Sequence, residues 1–114
     1  MSRIGHYKLN GHEPVRVADL LEWAHWFETA DRQVMRTDLI DGSTVSTVFL
    51  GLDHNFMQKG RPVLFESALW VDDEGWNVVG RYCTWAEAEA GHMDWLERCV
   101  PPDLITMTVK HETP

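Results

Sequence analysis

At 114 residues the chain has room for one domain and one core, with no length left for a second folded unit. Apolar residues at 44% and charged residues at 25% exclude global disorder. The formal net charge of −8, from 18 acidic against 10 basic residues with no Lys/Arg cluster, argues against a phosphate-tracking surface, so no direct nucleic-acid binding is expected.

Residues 1–18 read as an N-terminal arm or a small hairpin, because positions 7–9 and 15–17 flank the turn-forming Asn10-Gly11-His12-Glu13-Pro14. From Asp19 the pattern becomes helical. Leu20, Ala24 and Phe27 recur at helical spacing, Trp23, Trp26 and Ala30 broaden the stripe, and Asp19 with Glu22 gives the start signal. Residues 33–51 then hold two strand-like runs around Asp41-Gly42, a dipeptide suited to a tight hairpin, with the second strand expected over 44–52. A third strand is expected over 62–71 and a fourth over 76–83, joined by Asp72-Asp73-Glu74-Gly75.

Thr84-Trp85-Ala86-Glu87 is a capping box and starts a second helix. Trp85, Ala88, His92, Trp95, Leu96 and Cys99 form its apolar stripe, and Pro101-Pro102 end it. Residues 103–114 form a tail with a short strand-like LITMTV. The expected fold is therefore a single α+β domain over 1–114: a four-stranded antiparallel meander flanked by two helices, in the order α-β-β-β-β-α, with the helices packed on one sheet face.

Cys83 and Cys99 sit at opposite ends of the second helix, about 24 Å apart at 1.5 Å per residue, and cannot pair while it persists. With no disulfide framework, no signal-peptide core in MSRIGHYKLNGHEP and no span of membrane length, the sequence reads as that of a cytoplasmic protein that does not enter a membrane.

The motifs STVFLGLDHNF (46–56), PVLFES (62–67), RYCTWAEAEAGH (81–92) and LLEWAHWFETADR (20–32) resemble a family of small, uncharacterised bacteriophage and prophage proteins. The resemblance covers most of the chain from Tyr7 to His92, and departs from the family in WVDDEGWNVVG, a hairpin. It implies a small cytosolic protein made in an infected or lysogenic bacterium, with no established catalytic residues to carry over.

Asp53 and His54 follow a strand end, Glu66 lies on the next strand and His92 on the second helix. These types suit a metal or acid-base work, so a small metal-dependent or acid-base enzyme using Asp53, His54, Glu66 and His92 is one reading. Their spacing is not diagnostic of a metal site. In the competing reading Asp53 and Asn55 bond their own backbone, Glu66 pairs with Arg81, and His92 is a satisfied core histidine.

The leading expectation is a non-enzymatic accessory protein without metal or cofactor. It would bind a host protein through Trp70, Trp76 and the acidic turn Asp72, Asp73 and Glu74, where aromatic anchors stand beside steering charge. Inhibition of a host defence system is one concrete form of such docking. A structural homodimer is the third reading.

Overall fold

The turn at Asn10-Gly11 closes a hairpin. In the computed structural model, which describes residues 4–57, 59–99 and 107–111, β1 (Tyr7–Asn10) pairs antiparallel with β2 (Glu13–Arg16) as a separate two-stranded sheet. Gly11 takes a positive φ of 65° there, which costs a residue without a Cβ least. The base of this hairpin is tied to the rest of the chain, because the Tyr7 N–H donates to the Gly51 carbonyl at 2.8 Å and the Asp53 N–H to the Gly5 carbonyl at 3.0 Å.

Asp19 caps the helix α1 (Leu20–Thr29) by accepting from the Leu21 N–H at 2.9 Å and the Glu22 N–H at 3.2 Å. The face it buries differs from the expected stripe. Leu20 and Leu21 are 58% and 75% exposed, Ala24 is exposed, and Trp23, Trp26 and Phe27 make the packed side. The cause is the Trp23 indole N–H, which donates to the carbonyls of Tyr7 at 3.0 Å and Gly51 at 3.1 Å and so rotates the helix towards β1. Helix α1 thus packs mainly on β1 rather than across the main sheet, which it reaches through Trp26, edge-on to Phe49 at 5.9 Å.

Strands β3 (Gln33–Leu39), β4 (Thr44–Phe49), β5 (Phe65–Val71) and β6 (Gly75–Tyr82) form the expected antiparallel meander. β4 ends at Phe49, short of Leu52, because the chain turns at Gly51 with φ of 78°. β5 likewise starts at Phe65, since Val63 and Leu64 accept loop bonds from the N–H groups of His54 and Leu50. Helix α2 (Trp85–Cys99) begins at the expected capping box: the Glu87 N–H donates to Thr84 Oγ1 at 3.1 Å, and the Thr84 N–H to Glu87 Oε1 at 3.2 Å. The stop at Pro101-Pro102 lies outside the described residues.

Strand β7 (Met107–His111) pairs antiparallel with β3, giving one sheet in the order β6-β5-β4-β3-β7. The fold is α+β, with a fifth strand added to the meander. Helix α2 lies on the inner face across β3 to β6 and buries Trp85, Ala88, His92 and Leu96. Trp85 and Ala88 join Val34, Met35, Phe49, Leu64 and Phe65 in one apolar cluster, and Leu96 meets Leu39 and Val45 in another. At about 25 cal/mol per Å² such burial is the main stabilising term. Among the described residues, no helix is long and apolar enough to cross a membrane.

Candidate functional site

The four residues of the enzymatic reading occupy three separate places. Asp53 is buried and accepts from the N–H groups of Asn55 at 2.8 Å and Val63 at 2.9 Å, so it ties the loop after β4 to the segment that leads into β5. His54 shares a hydrogen bond of 2.9 Å between Nδ1 and the Leu52 carbonyl, and its ring stands 5.3 Å from that of Phe56. Glu66 accepts from Arg81 Nε at 3.2 Å on the neighbouring strand.

His92 lies beneath the opposite sheet face. Its Nδ1 is 2.8 Å from Thr47 Oγ1 and its Nε2 is 2.9 Å from Thr37 Oγ1, while Thr47 in turn bonds Ser67. Ser67 follows Glu66 along β5, and successive strand residues point to opposite faces. The sheet therefore stands between Glu66 and His92. All of Thr37, Thr47, Ser67 and His92 are buried, and burial pushes the imidazole down to about 4, so the ring is neutral at pH 7. A neutral imidazole can donate from one nitrogen and accept at the other, which satisfies both hydroxyl contacts. Among the described residues, no group of three His, Cys, Asp or Glu side chains could hold a metal ion.

The outer face and its hairpin tip have a different character. Trp76 on β6 is paired with Trp70 on β5, and their rings meet edge to face at 5.5 Å. Trp76 and Val78 are 50% and 52% exposed, so the strand presents an aromatic and an aliphatic surface beside the ion pair of Glu66 and Arg81. The turn between these strands carries Asp72, Asp73 and Glu74, all exposed, with Asp73 at φ of 73° and Gly75 at 78°.

Sequence reasoning missed that the turn between β3 and β4 stands beside this one. A Cβ at Gly42 would lie 3.5 Å from Asp72 Oδ2, which puts Asp41 on the same acidic end. The Asp41 carboxyl is held below its usual range, chiefly by the Ser43 hydroxyl and then by the Ser43 N–H, and so stays charged. The pairing of Thr44 with Trp70 is what joins the tips, a long-range register that local pattern does not reveal.

A second feature absent from the sequence reading is a cavity of about 540 Å³ between the β1–β2 hairpin and the start of α2. Tyr7, His12 and Glu13 line one side, Trp85 and Glu89 the other, with Arg61 at the rim. The His12 imidazole lies flat on the Trp85 indole, with ring centroids 3.7 Å apart and planes 8° from parallel. Arg61 Nη2 is 3.0 Å from Glu87 Oε2, and that bond holds the guanidinium above its usual range.

Comparison with protein-family models, with curated proteins and with solved structures finds no match to this chain.

Proposed function

We propose that this is a non-enzymatic accessory protein of a bacteriophage or prophage, acting in the bacterial cytoplasm by docking on a basic surface of a host protein. The observation that carries the reading is the exposed Trp76, packed edge to face against the half-buried Trp70, next to an acidic turn. Large aromatic side chains supply most of the energy of an interface, and a concentrated charge speeds encounter with a complementary partner. The net charge of −8 extends that steering over the whole molecule and selects a basic partner. The phage setting is supported by the resemblance of the four sequence motifs, and inhibition of a host defence system fits a module with this surface.

Affinity capture from bacterial lysate tests the reading when wild type is compared with Trp76→Ala and with the triple change Asp72→Asn, Asp73→Asn, Glu74→Gln. A host protein retained by wild type, released by raised salt and lost with both variants supports it. Retention of the same proteins by all three chains overturns it.

A homodimer is the second reading, favoured by the position of β6 at the edge of the sheet with Val78 exposed in mid-strand. Light scattering of wild type and Val78→Lys separates the two readings, since only a dimer formed through that edge dissociates with the substitution.

A further inference from the structure

We infer that the first half of β6, residues 75–78, takes up an extended segment of the partner as a sixth strand of the main sheet. The added strand runs antiparallel to β6, with apolar side chains on the outer face and a basic residue at its C-terminal end. The inference rests on the reading of the protein as a docking module for a basic partner, and names the form in which that partner is held.

The backbone comes first. β6 ends the sheet, so the side of its main chain away from β5 has no strand beside it. Neither helix packs along that side, since α2 crosses the inner face and α1 rests on β1. An open row of N–H and C=O groups is a template for another strand, and edges closed to pairing commonly carry Lys, Pro or a bulge. β6 holds neither Lys nor Pro, and its one charged residue, Arg81, is engaged by Glu66 at 3.2 Å. The opposite edge strand, β7, is shorter and contains Lys110. A bulge does interrupt β6, because Gly80 pairs with Ser67 and Val78 with Ala68, which leaves Val79 over. It splits the edge and leaves residues 75–78 as the longer regular run, the one next to the acidic turn.

Side chains give the pattern of the ligand. Trp76 and Val78 stand two residues apart on the outer face, opposite Trp70 and Ala68, and both are half exposed. A strand laid about 4.8 Å away brings its own alternate side chains beside them, and apolar residues at those two positions cover both. Antiparallel pairing is the more stable arrangement, so the added strand leaves the sheet at Gly75, beside the exposed Asp73 and Glu74. Among the described residues, no ion pair holds either carboxylate. A Lys or Arg two residues beyond the position opposite Trp76 reaches them, and the ligand pattern is apolar, any, apolar, any, basic. A second copy of the chain supplies no such base. With residues 75–78 paired on themselves, Val79 and Gly80 of the other copy would face the turn.

The test is an NMR titration of the full chain with the peptide acetyl-Thr-Val-Thr-Val-Thr-Lys-Lys-amide. Saturating shifts and slowed amide exchange are expected over residues 75–78. The peptide of reversed sequence should bind about five-fold more weakly, and the Asp73→Asn, Glu74→Gln chain should bind the two alike. N-methylation of alternate amides along one edge of the peptide should abolish binding, and along the other edge should leave it, since only one edge faces β6. Shifts that never saturate, equal behaviour of the two methylated peptides, or no preference of wild type between forward and reversed sequence would overturn the inference. So would a dimer of the chain alone, seen by light scattering, with residues 75–78 already protected. Failure of the peptide with Trp76-dependent capture of a host protein intact condemns strand pairing alone. Peptide binding, with the same proteins captured by wild type, Trp76→Ala and the Asp72→Asn, Asp73→Asn, Glu74→Gln chain, condemns the docking reading.

Discussion

His92 and Thr47 are joined by a buried hydrogen bond of 2.8 Å, which links helix α2 to the middle of the sheet. The other ring nitrogen meets Thr37, so a neutral imidazole is locked between two strands and satisfied at both positions.

An acid-sensitive fold follows. Burial lowers the folded-state pKa of His92 from 6.5 to about 4. Above pH 6.5 the ring is neutral in both states and costs nothing. As pH falls from 6.5 to about 4 the unfolded chain takes up the proton first, and up to about 3 kcal/mol of stability is lost at about 1.4 kcal/mol per pH unit. Urea unfolding of wild type and His92→Gln at pH 7.5 and pH 4.5 checks this. Wild type should be the more stable at pH 7.5, and its advantage should shrink at pH 4.5, whereas a constant difference would show that the ring does not titrate against the fold.

Asp53 separates architecture from chemistry. Replacing it by Ala leaves the N–H groups of Asn55 and Val63 without their acceptor, at a cost of about 1–3 kcal/mol. Asp53→Asn keeps a side-chain carbonyl and should cost less than half as much. Equal losses in thermal unfolding would show that the charge, not the geometry, matters at this position.

Gly91 on α2 and Gly80 on β6 leave room for the side chain of Tyr82, and a Cβ at either position would clash with its ring edge or hydroxyl. Gly91→Ala should therefore destabilise the protein by about 1–3 kcal/mol despite the better helix propensity of Ala. In a Tyr82→Leu background the same change should turn neutral or stabilising. A loss that persists unchanged in that background would place the clash elsewhere.

Trp85 is 7% exposed and its indole N–H finds no acceptor among the described residues. Phe removes that orphaned donor and keeps most of the ring, so Trp85→Phe should cost at most about 1.5 kcal/mol, against about 3–5 kcal/mol for Trp85→Ala. Chemical denaturation of both variants reads the difference.

What was legible in the sequence was local. The Asp19 cap and the Thr84 and Glu87 capping box each use partners within three residues, so residue type and spacing suffice. The pair of Glu66 and Arg81 was legible as a contact between neighbouring strands, but its register was not, since a bulge between Ser67 and Ala68 shifts the pairing that the Asp72-Asp73-Glu74-Gly75 turn starts and so brings Arg81 opposite Glu66. The solvent-facing side of α1 was not legible. Helical spacing marks an apolar stripe, but the side that packs was decided by carbonyls of Tyr7 and Gly51, 16 and 28 residues from Trp23. The partners of His92 are 45 and 55 residues away, and the cavity joins a hairpin at one end of the chain to the start of α2. Position β7 beside β3 likewise depends on a pairing across most of the sequence.

The most direct measurement is hydrogen exchange of the protein alone and bound to the host protein it captures. Docking through the acidic aromatic tip predicts slowed exchange over residues 70–78, with the effect abolished by Trp76→Ala. Protection confined to the exposed surface of α2, with residues 70–78 exchanging as in the free protein, would contradict it.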